Sequence, residues 1–222
     1  MPKIRSALAG SAVLTAVLVG CESQPSANTL RYYGDLALEK REYVEAAEWY
    51  EQYVRRIPAD AEARYRLGTA YLGLGKPALA REQFIQGLEL GFDREQFVEG
   101  IAKALVETGQ RDELFRLLRR QAEQTRLPMD YIRYGRFAAL VGDVDVAEEA
   151  LLAAARIDEG RTVEPQLALA EFYGLVNDAD RELERLRMAL FVSPSNEDVQ
   201  ARIAELGHVP GPGFVLQPIE RR

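Results

Sequence analysis

Gly34 and Gly68 stand 34 residues apart, and the same interval separates Ala46 from Ala80 and Tyr50 from Phe84. A small residue, a second small residue twelve places on and an aromatic four places after that thus recur in a fixed order. Residues four apart share one helix face, so the second small residue and the aromatic project together. A unit this short exposes an apolar face that it cannot bury alone, so copies must stack and the chain is constrained to an array. Gly75, Gly109 and Gly142 fall where such units would turn, and Pro58 and Pro194 fall where helices would stop. Strand-like alternation bounded by turn residues is absent, save for a few tail residues.

Residues 27–60 carry Tyr33-Gly34, Ala37, Ala46, Tyr50 and Pro58, and residues 61–94 carry Leu67-Gly68, Tyr71, Gly75, Ala80 and Phe84. A third unit, 95–127, keeps Ile101-Ala102, Leu105 and Gly109 but has Leu114 in the second small-residue slot. A fourth, 128–161, has Tyr134-Gly135, Ala138, Gly142, Ala147 and Leu151. The fifth, 163–196, keeps Leu169-Ala170, Tyr173, Ala189 and Pro194, with Glu182 in the small-residue slot. This period and pattern resemble the tetratricopeptide repeat. The resemblance implies an all-α fold, a right-handed α-solenoid of about five helix-turn-helix repeats over 27–196. A capping helix over 197–206 and a Pro/Gly-rich tail over 207–222 follow. The family implies a protein-interaction scaffold and no particular partner.

The N-terminus reads as an address. Lys3 and Arg5 precede an uncharged apolar run from Ala7 to Val19, too short to span a bilayer but suited to a signal peptide. Leu18-Val19-Gly20-Cys21 resembles the lipobox of bacterial lipoproteins. That resemblance implies a signal over 1–20, cleavage before Cys21, acylation (palmitate-type) of Cys21 and a stable anchor from several acyl chains. Glu22 in place of Asp implies the outer membrane, with the inner membrane as the alternative. Residues 21–29 then form the lipidated Cys and a polar tether. An ordinary secretory signal with a chance Cys, or an uncut anchor helix, are the competing readings.

Chemistry is sparse by comparison. With one His and one Cys, multi-His and multi-Cys metal sites and an intramolecular disulfide are excluded, and a net charge of −7 disfavours nucleic acid. His208 lies in a Pro/Gly tail, a poor platform for a catalytic triad. Gly73-Leu74-Gly75-Lys76 is followed by Pro77 rather than Ser or Thr, so it reads as a turn and not a phosphate loop. Asp143 with Asp145, and Asp178 with Asp180, lack the Gly and Glu of a calcium loop and read as helix caps. Glu148-Glu149 and Asp112-Glu113 fall near helix starts, where negative charge complements the dipole. The expectation is no enzyme activity, no cofactor and no metal.

The working surface expected from the family is the inner groove lined by the first helix of each repeat. Carried over position by position, the resemblance gives Arg31, Tyr32 and Asp35, then Tyr65, Arg66 and Thr69, then Gln96, Glu99 and Lys103. Ile132, Arg133 and Arg136 follow, with Leu167 and Glu171 last. The excess of basic over acidic side chains in this set favours an acidic or carboxylate-bearing protein or extended peptide. The tail, with Phe214-Val215-Leu216, is a second candidate that could dock on its own solenoid, cap the last repeat, bind a partner or stay mobile. The function implied is a lipid-anchored periplasmic scaffold in assembly of a pilus, secretin or outer-membrane protein, of the Tad-pilus pilotin type among others. An accessory helical domain of a cell-wall hydrolase system, or a cytosolic scaffold with a fortuitous lipobox, are the alternatives.

Overall fold

The computed structural model describes residues 24–91 and 94–221; the leader, Cys21 and Glu22 lie outside the described residues. The described residues form eleven α-helices, no strand and a terminal 3-10 turn at Ile219–Arg221. The helices pair as α1 (Ala27–Glu39) with α2 (Tyr43–Arg56), α3 (Ala61–Gly73) with α4 (Pro77–Glu89) and α5 (Arg94–Glu107) with α6 (Arg111–Thr125). They continue as α7 (Pro128–Leu140) with α8 (Val144–Asp158), α9 (Glu164–Leu175) with α10 (Ala179–Val192), and a single α11 (Glu197–Glu205). Each hairpin also packs on the next, and the first helices touch one another along α1–α3–α5 and α7–α9. This row is therefore the inner side of a curved α-solenoid.

The turn within each hairpin is the same device five times. Arg41, Gly75, Gly109, Gly142 and Asn177 all take left-handed backbone, with φ between 60° and 78°. After each, an amide reaches back to close the helix end: Glu42 to the Ala37 carbonyl at 2.8 Å, Lys76 to Tyr71 at 2.8 Å and Gln110 to Leu105 at 2.9 Å. Asp143 to Ala138 and Asp178 to Tyr173 repeat it at 2.9 Å each. The left-handed residue lets the chain satisfy the last carbonyls and reverse in one step, which is why Gly recurs there. Asn177 tolerates the same conformation, whereas Arg41 holds it against the usual steric preference. The next helix starts at once, on Pro77 as the first residue of α4 and on the side-chain caps Asp143 and Asp178 for α8 and α10.

Within a hairpin the two helices meet at the small residues. A Cβ on Gly34 would lie 2.7 Å from the Tyr50 ring, one on Gly68 would lie 2.6 Å from the Phe84 ring, and one on Gly135 would lie 2.6 Å from Leu151. The fully buried aromatics fill the space that these glycines leave. Two repeats depart from the pattern, each with a structural consequence. Leu114 occupies the small-residue slot of the third hairpin and is fully buried, and α5 and α6 pack less closely than any other hairpin pair. Glu182 occupies the slot of the fifth hairpin and is buried facing Gly174, its carboxylate accepting from Arg202 Nε of α11 at 2.6 Å. The irregular residue is thus the socket that pins the capping helix.

Overpacking at such a crossing costs about 1–3 kcal/mol. Gly68→Ala is therefore expected to lower the stability measured by urea unfolding by that amount, and Gly68→Ala/Phe84→Leu is expected to recover part of it. An unchanged unfolding midpoint for Gly68→Ala would overturn the crossing as the limiting contact.

Candidate functional site

The groove residues of the first two repeats form one polar lattice. Asp35 accepts from the Tyr50 hydroxyl and, at 2.6 Å, from Arg66 of α3, which also donates to Glu62 at 2.9 Å. Arg31 lies 3.8 Å from Asp60 and 4.0 Å from Asp35. The Thr69 hydroxyl donates to the Tyr65 carbonyl, and the Tyr65 ring packs between Phe84 and Phe97 at centroid distances of 5.6 and 5.7 Å. Lys103 pairs with Glu99 at 2.7 Å on one exposed face of α5. Arg133 bridges Asp130 of its own helix and Glu95 of α5, and its side chain is only 10% exposed. Arg136 pairs with Glu171 of α9 at 2.8 Å. The structure thus brings Arg31, Asp35, Arg66, Lys103, Arg133 and Arg136 onto the inner row, where Arg66, Arg133 and Arg136 each tie one repeat to a neighbour, whereas Ile132 is buried in the core.

That pairing changes the electrostatic argument. Every basic side chain of the expected set already faces a carboxylate of this chain, so the apparent surplus of positive charge is neutralised internally. Burial, followed by the hydrogen bond and charge of Asp35, pushes the Tyr50 hydroxyl well above its ordinary pKa, so it stays a proton donor to that carboxylate. Burial alone would raise the Asp60 carboxyl, but the Ala63 amide, the Tyr53 hydroxyl and Arg31 together hold it below its usual value. Tyr32 projects to solvent, 63% exposed.

Two depressions lie toward the other end of the inner face. One, of about 640 Å³, sits among α9, α10 and α11 and is walled by Leu167, Ala170, Gly174, Leu186 and Val199, with the Glu182–Arg202 pair at one side. The other, of about 350 Å³, lies between α7 and α9 beside Leu140, Ala168 and Phe172. Glu171 and Leu175 border both, so the two depressions flank the same edge of α9. Leu140 and Leu175 are 68% and 74% exposed, unusual for leucines on a helix lining a groove. Both occupy the thirteenth place of their repeat, one of the family's inner-face positions, so their spacing in the sequence marks them.

The tail docks on its own solenoid. Phe214 and Val215 join the apolar cluster of α9, α10 and α11, and the Leu216 amide donates to the Arg187 carbonyl at 3.1 Å. Arg187 donates to the Phe214 carbonyl at 2.8 Å and lies 4.9 Å over its ring, with His208 stacked beside Phe214. Further on, Pro218 packs against Gly160, and Glu220 inserts beside Arg185 at 2.7 Å and Gln166 at 3.2 Å. The Arg185 and Glu220 side chains are 7% and 5% exposed, so the tail is a strap sealed by a buried ion pair.

Asp143 and Asp178 serve as caps, accepting from the amides of Val146 at 3.1 Å and Arg181 at 3.0 Å. Among the described residues there is no cluster of three His, Cys, Asp or Glu placed to hold a metal, and no helix is long and apolar enough to cross a membrane.

These geometries can be set beside known proteins. A tetratricopeptide repeat family model matches residues 61–90, the second hairpin. A thermophilic protein of the same repeat class from Thermus thermophilus superposes with a TM-score of 0.51 at 23% identity, over 82% of this chain and 98% of that one. The second hairpin is a tetratricopeptide repeat, and the chain shares the fold of proteins built from such repeats. MamA from Desulfovibrio magneticus RS-1 matches with a TM-score of 0.54 at 17% identity, over 77% of this chain and 97% of that one. PilW, a type IV pilus biogenesis factor, matches with a TM-score of 0.56 at 16% identity, over 80% and 83%. No curated protein matches the sequence. The tetratricopeptide pattern is recognised in the repeat that spells it most fully, while the shape extends the same architecture to the degenerate third and fifth hairpins.

Two measurements test this geometry. Breaking one side of a buried ion pair costs about 3–5 kcal/mol, so Glu220→Ala is expected to destabilise the chain by roughly that amount, read by thermal or urea unfolding. A neutral outcome would mean that the strap is not sealed there. The second concerns pH. The Val146 amide and Arg111 hold the Asp143 carboxyl below its usual range, and the Arg181 amide and guanidinium do the same for Asp178. The folded state therefore binds protons less readily at these sites than the unfolded chain. Their stabilisation is full above about pH 4 and is lost as the pH falls through the lowered folded-state values. The melting temperature should fall from pH 5 to pH 3, and Asp143→Asn/Asp178→Asn, which keeps a capping side chain, should flatten that decline.

Proposed function

We propose that the chain is a non-catalytic, lipid-anchored scaffold on the periplasmic face of a bacterial outer membrane that holds a segment of a protein partner during assembly of an envelope machine. The observation that carries the scaffold reading is the pair of apolar depressions that flank α9 on the inner face, between α7 and α11. A concave, largely apolar surface with a few polar groups at its edge suits an extended segment with two apolar side chains, one for each depression. With the arginines of the groove paired internally, apolar complementarity supplies the attraction and the charged rim supplies register.

The address rests on the resemblance of Leu18-Val19-Gly20-Cys21 to a lipobox and on Glu22. The fold shared with a type IV pilus biogenesis factor supports pilus or secretin assembly as the first system to test.

Crosslinked affinity capture from native envelopes, comparing wild type with Leu140→Glu/Leu175→Glu, tests the reading. Both leucines are exposed, so the variant should fold as the wild type does by circular dichroism. The expected result is one envelope protein captured by the wild type and lost from the variant. Equal capture by both would remove the inner face as the partner surface. Charge reversal at Arg133 is a poor alternative, because it would set a new carboxylate beside Asp130 and Glu95.

A further inference from the structure

The two ends of the solenoid are finished differently. At the C-terminal end, α11 and the strap cover the last hairpin. At the other end nothing among the described residues covers the first hairpin. Leu67, buried at 2% exposure in the second repeat, has Tyr33 as its counterpart in the first, and Tyr33 is 44% exposed. Its ring stacks on Trp49 of α2 at 5.3 Å, and Tyr32 meets it edge-on at 5.4 Å. The position that a preceding hairpin would bury thus presents an aromatic patch to solvent. Terminal repeats ordinarily carry a polar outer face.

The path of the chain shows what lies next to this patch. Arg56, at the end of α2, donates to the Pro25 carbonyl and, at 2.9 Å, to Gln24 Oε1, holding the segment before α1 against the first hairpin. Gln24 is the third residue after Cys21, so a fully extended chain places it at most about 11 Å from that residue. Tyr33 lies about 10 Å along α1 from its Ser26 cap. An acyl group on Cys21 would therefore lie at most about 28 Å from the patch.

We propose that Tyr32, Tyr33 and Trp49 seat the first hairpin on the lipid bilayer that holds Cys21. The proposal rests on the lipoprotein reading above. Trp and Tyr favour the headgroup level of a membrane, where the ring is half apolar and half wet. The surrounding charge sets the tilt. Arg55 and Arg56 lie toward the tether end of α2, both more than a third exposed although Arg55 lies 3.8 Å from Glu51 and Arg56 holds Gln24 and Pro25, with the exposed Ile57 just beyond them; Glu45 and Glu48 lie toward the other end of the helix. The arginine side approaches anionic headgroups and the glutamate side is held away. The solenoid then projects from the membrane by its C-terminal end, which leaves the apolar depressions at α9 and α11 farthest from the lipid.

Trp49 is the sole tryptophan, so its fluorescence reports this contact without labelling. The full chain, purified from bacterial membranes and checked by mass spectrometry for acylation at Cys21, is reconstituted into phosphatidylethanolamine–phosphatidylglycerol vesicles with or without bromine high on the acyl chains. The expected result is loss of most Trp49 emission in brominated vesicles only. Tyr32→Glu, which leaves the Tyr33–Trp49 stack in place, should float with the vesicles yet recover emission. Acylated chain that floats with Trp49 unquenched would overturn the proposal while leaving the lipoprotein reading intact. Chain with no acyl group that fails to float would overturn both. A stable dimer in detergent with Trp49 shielded from iodide would assign the patch to a second copy instead and overturn the membrane contact.

Discussion

The close approach of the two helices in each hairpin is the constraint on which the remaining structure depends. Where Gly68 meets Phe84, or Gly34 meets Tyr50, no Cβ fits, and the aromatic ring fills the gap left by the missing side chain. That contact fixes the angle between the helices, and the angle fixes how much apolar face remains for the next hairpin. The same Phe84 ring lies 2.9 Å from where a Cβ on Gly100 of α5 would sit, so one side chain sets both the crossing within its hairpin and the approach of the next. Curvature, and with it the inner face, follows from repeating this geometry.

The repeats that break the rule show what it costs to depart from it. With Leu114 in place of a small residue, α5 and α6 pack less closely than the helices of the other hairpins, and long side chains join the third hairpin to its neighbours. Arg81 spans to Gln110 and Glu113, Arg111 spans to Asp143, and Arg133 spans to Glu95. Ion pairs of this kind contribute little singly; none of these crosses between α5 and α6, and together they tie the third hairpin to the second and fourth. In the fifth repeat, the buried Glu182 exchanges ordinary packing for an ion pair with Arg202, whose side chain stays partly in solvent. A carboxylate there, with Gly174 leaving room for it, is of use only because a capping helix arrives with a matching cation.

The fold was legible because its determinants are local and periodic. Gly34, Gly68 and Gly135, the turn glycines and the aromatics four residues after Ala46 and Ala80 are all visible as spacing in the chain. The use of Arg41 and Asn177 in the same left-handed turn position was not, since neither residue type announces that conformation as Gly does. The groove was legible only as a set of positions. Sequence counts charges but not their partners, so Arg66, Arg133 and Arg136 read as available cations until the structure shows Asp35, Glu95 and Glu171 opposite them from neighbouring repeats. The strap was open for a similar reason. Glu220 and Arg185 lie 35 residues apart and on different elements, a pairing that no local pattern encodes.

A stacked array has two ends, and each end leaves the apolar face of one hairpin without a neighbour. At the C-terminal end the chain answers this with its own residues. Val199 and Ile203 of α11 join Leu186, Ala189 and Leu190, Phe214 and Val215 of the strap close over the same cluster, and Glu220 locks the strap to Arg185. Water is thereby kept from that cluster without a further repeat. The first hairpin has no such cover among the described residues, and its outer side chains are Tyr33 and Trp49 rather than the Leu found one repeat later. Aromatic rings with a polar edge tolerate an interface that aliphatic side chains do not. The difference between the ends is therefore a difference in what each is built to meet: the chain's own tail at one, and something outside the array at the other.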